Sequence, residues 1–355
     1  MTKIDVLSVG GLPNKAKETL AERFSIHRIE HGAELGSLGK ALTAIRGLAR
    51  GGHLEVTRAV MDQLPKLEIV ANFGVGYDGI DLTYAAQRGV LVTNTPDVLT
   101  EEVADTALGL LLMTVRELSA AERHLRAGKW VEANYPLTVA TMRDRTVGIV
   151  GLGRIGMAIA RRLDAMQVPV VYHTRHKRSD VAYRYYGDLG RMAADVDTLV
   201  VVLPGNEMTR NLIDAAVLKA LGSRGVLVNI GRGVVVDEPA LIAVLKDGTI
   251  HAAGLDVFAD EPRVPAELIA LPNAVLLPHV GSASVHTRDA MGQLVVDNLT
   301  SWFEKGRPLT PVPETPWPRN FVPERALALG FRAEHNFEEI IRIHIEDERG
   351  GTWVK

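Results

Sequence analysis

The sequence predicts an α/β protein of two domains built on parallel sheets. Three observations carry this. At 355 residues the chain is longer than one hydrophobic core usually organises. Short β-branched runs alternate with helix-length segments from end to end, the pattern of parallel strands joined by helical crossovers. The runs are continuously apolar rather than alternating, as strands covered on both faces are.

Strands are expected at residues 4–9, 67–73 and 90–93. The rhythm returns at 146–150, 168–173, 198–203, 225–230, 252–257 and 275–278. Residues 100–128 read as one long helix. Thr100 is placed to cap it, Glu101 and Glu102 favour its positive end, and Gly128 stops it. Its stretch 104–115 is apolar on nearly every side, so both domains or a second subunit are expected to cover it. The first domain boundary falls near Thr100. Another helix is expected over 284–303, ahead of a proline-rich segment at 308–318. From Arg319 the chain carries Arg, Glu and His clusters and one alternating run from Ile341 to Glu346, read as an edge strand or an unstructured extension.

Composition narrows the function. Apolar content of 46% and charged content of 23% are those of a soluble globular protein. A net charge of -3 gives no basic surplus for nucleic acid, so any attraction for phosphate must be local. The absence of cysteine excludes disulfides, thiolate nucleophiles and Cys-ligated metal, and fits a reducing compartment. The N-terminus enters a strand-like run with no leader pattern, and the longest apolar stretches, such as 107–115, are too short to span a bilayer. A cytoplasmic protein is expected, with no membrane or nucleic-acid partner and no metal.

The run 146–150 leads into Gly151-Leu-Gly153-Arg154-Ile155-Gly156 and then a helical segment. In this strand–loop–helix order Gly151 permits a tight turn, Gly153 lets backbone approach a pyrophosphate, and Gly156 lets the helix pack on the sheet. The helix N-terminus offers free N–H groups to the phosphates. An NAD site usually carries an acid at the end of the next strand. Here residues 168–173 are followed by Thr174, Arg175, His176, Lys177 and Arg178, a hydroxyl and a cluster of cations. Such a set suits a ribose 2′-phosphate, so NADP(H) is expected as the preferred cofactor, with NAD(H) left open.

Three later runs each end on polar residues: Arg232 after 228–231, Asp256 and Glu261 after 252–255, and His279 after 275–278. Ligands of open α/β sheets gather at the carboxyl ends of strands. Arg232 suits a two-point grip on a substrate carboxylate and polarises a neighbouring carbonyl. His279 suits proton donation to that oxygen as hydride reaches carbon. Glu261 beside the imidazole would favour its charged form and raise its pKa. Asp256 is expected to hydrogen-bond the cofactor rather than act as acid or base.

These motifs resemble those of the D-isomer-specific 2-hydroxyacid dehydrogenase family. The matching segments are Gly151–Gly156, Val228-Asn-Ile-Gly-Arg-Gly233 with Asp237, Gly254-Leu-Asp-Val-Phe258 with Glu261-Pro262, and Leu277-Pro-His279. Asn72-Phe-Gly-Val-Gly-Tyr-Asp78 and Thr93-Asn-Thr-Pro96 match the family's substrate-domain motifs, and the likeness covers residues 4–317. The basic turn and the Gly-Val-Gly-Tyr-Asp stretch resemble the NADPH-preferring glyoxylate/hydroxypyruvate reductase branch, related to 2-ketogluconate and hydroxyphenylpyruvate reductases.

The resemblance implies two Rossmann-like, doubly wound parallel-sheet domains. The NAD(P)-binding domain, 100–285, is inserted into a discontinuous, flavodoxin-like substrate domain, 1–99 plus 286–318. It implies Arg232, Glu261 and His279 as the catalytic residues, and backbone N–H groups around Val75 and Gly76 for the substrate carboxylate. The Gly51-Gly52-His53 loop would border the substrate. Leu203, Pro204, Thr209, Ile230, Gly231 and Gly281 would join the phosphate loop in holding the cofactor. It also implies a homodimer formed through the long helix and the arm carrying Trp130 and Tyr135. Residues 319–355 have no counterpart in that branch. Rival readings are an NAD-dependent D-2-hydroxyacid or phosphoglycerate dehydrogenase, which would show an acid after the second strand, and formate dehydrogenase, with an amide at position 261. A nucleotide-sensing corepressor would keep the triad without turnover.

Overall fold

Continuous apolar runs at β1 (Asp5–Val9), β4 (Ile69–Asn72) and β5 (Leu91–Thr93) form the heart of one parallel sheet. With β2 (Ser25–Ile29) and β3 (Gly47–Arg50) its order is β2-β1-β3-β4-β5, the flavodoxin-like arrangement. Leu7, Val9, Leu48, Val70 and Val92 face one apolar cluster, and Val6, Ala49, Ile69, Ala71 and Leu91 face another. Both faces are therefore buried, which is why these strands do not alternate. This architecture comes from a computed structural model, which describes residues 3–52 and 54–315. The expectations for His53, for the end of the proline-rich segment and for residues 319–355, including the run from Ile341 to Glu346, lie outside the described residues.

The second sheet has seven parallel strands in the order β12-β11-β10-β9-β6-β7-β8. They are β6 (Val147–Val150), β7 (Val170–His173), β8 (Arg184–Tyr186), β9 (Thr198–Val201), β10 (Val226–Asn229), β11 (Ala252–Leu255) and β12 (Ala274–Leu276). Counted from β6 this is the Rossmann order with one added edge strand, and the strand order reverses between β6 and β9. The register levels the strand ends. Val150 lies opposite His173 and Val201, Asn229 opposite Val201 and Leu255, and Leu255 opposite Leu276. The loops after β6, β7, β9, β10, β11 and β12 therefore leave one common edge.

Two expectations are corrected. The long helix is broken: Thr100–Val115 is followed by Arg116 and a left-handed Glu117, then by Leu118–Arg126. At the break the Glu117 carboxylate accepts the Tyr135 hydroxyl of the arm at 2.8 Å. Thr100 is not the cap either. Leu99 occupies that position without a side-chain bond, and Thr100 is the first helical residue. Three strands, β2, β3 and β8, were not expected. β2 and β8 are sheet edges, carrying His27 and Arg28 in the first and Arg184 in the second, and β3 reads Gly-Leu-Ala-Arg without a β-branched residue.

The Thr100–Val115 helix packs on β10, β11, β12 and the Arg154–Ala165 helix, which bury one side of it and leave Leu108, Leu112 and Met113 half-buried. The last described helix, Val285–Lys305, returns to the first sheet and packs on β3, β4 and the Asn14–Arg23 helix. Among the described residues no helix is long and apolar enough to cross a membrane, and no cluster of His, Asp or Glu could hold a metal ion.

Candidate active site

The loop at the reversal point is built for phosphate. β6 ends at Val150, and Gly153 stands at the N-cap of the Arg154–Ala165 helix. A Cβ on Gly156 would lie 2.2 Å from the carbonyl oxygen of Gly151, so only glycine lets the helix close on the loop. A Cβ on Gly153 would meet nothing within 4 Å, so the backbone there faces open space before a helix N-terminus. These residues fit a dinucleotide pyrophosphate. Arg154 borders the same space and pairs with Asp97 at 2.8 Å, while Ile155 packs against the core.

Beyond β7, Thr174 donates its hydroxyl to the carbonyl of His176 at 2.7 Å. Arg175 and Lys177 are exposed and make no side-chain bond among the described residues. Arg178 is engaged: it donates to the Leu152 carbonyl at 2.5 Å and pairs with Asp180, tying the basic turn to the phosphate loop. After β9, Thr209 donates to the Pro204 carbonyl at 2.8 Å. Gly231 lies so close to Leu203 that a Cβ would stand 2.6 Å from its oxygen, and Ile230 is buried beside it.

Asn229, the last residue of β10, clamps the next turn. Its carbonyl oxygen accepts from Gly231 N–H at 3.1 Å and its amide donates to the Arg232 carbonyl at 2.9 Å. After β11, Glu261 accepts from Phe258 N–H at 3.0 Å through one oxygen. Through the other it accepts from His279 Nδ1 at 2.6 Å, leaving Nε2 of the imidazole for another partner. Burial works against the Glu261 charge, but the bonds from His279 and Phe258 and the nearby Arg232 outweigh it and hold the carboxyl below the usual range. Asp256, expected to face the cofactor, is 1% exposed and takes Val280 N–H at 2.7 Å and Gly281 N–H at 2.8 Å. Burial pushes its carboxyl up against those two bonds. It holds the segment that carries His279, whose own backbone is left-handed at φ 52.

The opposite wall comes from the first sheet. The Asn72 amide donates to the carbonyls of Gly74 at 3.1 Å and Gly76 at 2.9 Å, and the Asn94 amide donates to that of Val75 at 2.9 Å. Three successive carbonyls are thus taken. The N–H groups of Val75 and Gly76 have no acceptor among the described residues. Arg232 reaches this loop from the other sheet: a Cβ on Gly76 would stand 1.5 Å from Arg232 Nη2. Arg232 Nε donates to Asp78 at 3.1 Å and Nη1 to the Gly231 carbonyl at 2.8 Å. Gly52 lies at φ 84 beside Gly10 and Gly11.

The structure therefore joins His279 to Glu261, and Arg232 to the Val75–Gly76 loop. Sequence reasoning missed Asp78, Asn94, Arg50 and the tie made by Arg178. Asp78 and Asn94 stand inside the motifs already singled out, so a signal was present. Arg50 ends a strand that the pattern did not show.

The model of the D-isomer specific 2-hydroxyacid dehydrogenase NAD-binding domain matches residues 108–281. The glyoxylate/hydroxypyruvate reductase A of Arabidopsis thaliana is 45% identical over 316 residues, 88% of this chain and 100% of that protein. The chain belongs to the D-isomer specific 2-hydroxyacid dehydrogenase family. This dehydrogenase is thus an NAD(P)-dependent oxidoreductase. A 2-ketogluconate reductase of Gluconobacter oxydans is 40% identical over 88% of the dehydrogenase and 99% of that relative. Among solved structures, an NADPH-dependent glyoxylate/hydroxypyruvate reductase from Sinorhizobium meliloti, in complex with NADP and malonate, is 52% identical. It superposes with a TM-score of 0.87 over 90% of this chain and 100% of that one.

Proposed function

We propose that this dehydrogenase uses NADPH to reduce small 2-keto acids, of the glyoxylate and hydroxypyruvate class, to D-2-hydroxy acids. The observation that carries the reading is the pairing of His279 Nδ1 with Glu261 at 2.6 Å, across from a loop with unpaired N–H groups and an arginine tip. The activities for which the Arabidopsis and Sinorhizobium relatives are named support the same substrate class.

The substrate carboxylate sits on the N–H groups of Val75 and Gly76, bordered by Gly52, with Arg232 Nη2 against it. Arg232 also draws charge toward the C2 oxygen. His279 gives that oxygen a proton from Nε2, and Glu261 holds the ring by Nδ1 and stabilises its charged form. When bound, NADPH supplies the hydride to C2. Gly151, Gly153, Arg154, Ile155 and Gly156 would hold its pyrophosphate side, and Leu203, Pro204, Thr209, Ile230, Gly231 and Gly281 would line the rest of its path. Asp256 acts in this reading by fixing the His279 loop.

Thr174, Arg175 and Lys177 would meet the 2′-phosphate, since both cations are exposed and unengaged. Arg175→Asp replaces a charge-assisted contact by repulsion. It should weaken NADPH at least tenfold and leave NADH within a few-fold. Steady-state kinetics with both cofactors checks this, and equal catalytic efficiencies in the unmutated enzyme would contradict the preference.

The dehydrogenase is proposed to act as a homodimer. The Thr100–Val115 helix keeps Leu108, Leu112 and Met113 only half-buried, but the larger supporting surface lies beyond it. It is the next helix and the arm, where Leu125, Trp130 and Leu137 are 55%, 63% and 97% exposed. Apolar surface gathered on one segment favours a partner over water. Light scattering at micromolar protein should give the mass of two chains, and the mass of one would refute the dimer.

A further inference from the structure

We infer that Asp78 is a positioning residue that sets the plane of the Arg232 guanidinium for the 2-keto acid; the inference rests on the proposed role of Arg232. The two residues are 154 positions apart, one on the loop after β4 and the other on the loop after β10. Their bond at 3.1 Å joins loops that belong to different sheets. Arg232 is held at two points, Nε by Asp78 and Nη1 by the Gly231 carbonyl. A planar fork fixed at two points has one orientation left, and it turns Nη2 onto Gly76. Both side chains are partly exposed, so the pair adds little to stability. Its consequence is geometric.

A second arginine shapes the same carboxylate. Arg50 donates to the side-chain oxygen of Asn72 at 2.5 Å and to the Leu54 carbonyl at 2.6 Å. Its half-buried guanidinium is disfavoured by burial and favoured by the charge of Asp78. Asp78 thus lies between two cations. Arg50 also grips the residue whose amide turns the Gly74 and Gly76 carbonyls away, so the loop N–H groups are set beside the residue that holds Arg232.

The test is a double-mutant cycle with glyoxylate as probe: unmutated enzyme, Asp78→Asn, Arg232→Lys and the double variant. NADPH binding by fluorescence reports the fold and the cofactor site. Asp78→Asn should lower kcat/KM at least tenfold with NADPH affinity unchanged within twofold. In the Arg232→Lys background it should cost less than twofold, because an ammonium has no plane to set. Asp78→Ser should behave as Asp78→Asn, and it replaces that variant if the latter binds no NADPH. An equal loss in both backgrounds, or kcat/KM within twofold of the unmutated enzyme, overturns the inference alone. Near-full turnover in Arg232→Lys overturns the reading of Arg232 and the inference with it.

Discussion

His279→Ala should lower the turnover of keto-acid reduction by a factor on the order of 10² to 10⁴, the usual contribution of a positioned general acid. NADPH affinity should stay close to that of the unmutated enzyme. The pH profile gives the sharper result. Reduction consumes a proton, so its rate should fall as pH rises, while the reverse oxidation rises over the same range. The carboxylate of Glu261, 2.6 Å from Nδ1, stabilises the imidazolium. Glu261→Gln removes that charge, so the alkaline fall should move to lower pH. On the acid side the sign is set by Glu261 itself. Its carboxyl lies below the ordinary 4.5, so the Glu261 carboxylate persists above that value and is lost only as pH falls through the lowered one. Rate measurements at saturating substrate check both limbs. Coincident alkaline limbs, or near-full turnover in His279→Ala, would mean that another group donates the proton.

Gly76→Ala should lower kcat/KM for 2-keto acids about 100-fold or more. The added Cβ would stand 1.5 Å from Arg232 Nη2 and 2.9 Å from an Asp78 oxygen, so the guanidinium must leave its place. What it meets is the tip of a flexible side chain and not backbone, so the fold and the distant cofactor loop should survive. The loss therefore falls on substrate handling, where a displacement of about 1 Å can cost 100-fold. Kinetics with glyoxylate, paired with NADPH titration, checks this. Retention of activity within threefold would show that Arg232 does not act from the place it occupies.

Much of this molecule was legible in the sequence, for reasons its particular elements show. β1, β4, β6 and β9 to β11 are continuous apolar runs because both faces of their sheets are covered. The edge strands β2 and β8 need no such run, and β3 takes its strand state from its neighbours rather than from Gly-Leu-Ala-Arg. The helix break at Arg116 and Glu117 left no mark, because both are good helix formers.

Arg232, Glu261 and His279 stood out as polar residues closing apolar runs, and the level register explains why their loops share one edge. The partnership of Asp78 with Arg232 was not legible, since it depends on how two separate sheets meet. Nor was the hold on the Val75 carbonyl, which depends on Asn94 from a neighbouring loop. Family membership was readable because the motifs that carry it are contiguous, and the comparison with known dehydrogenases bears it out.

The most direct test is the consumption of reduced cofactor by the purified chain with glyoxylate and with hydroxypyruvate, followed by chiral analysis of the hydroxypyruvate product. The account predicts rapid oxidation of NADPH with either acid, a lower catalytic efficiency with NADH, and a D-configured product. No turnover with either cofactor, as expected of a nucleotide-sensing scaffold, or an L-configured product, would contradict it.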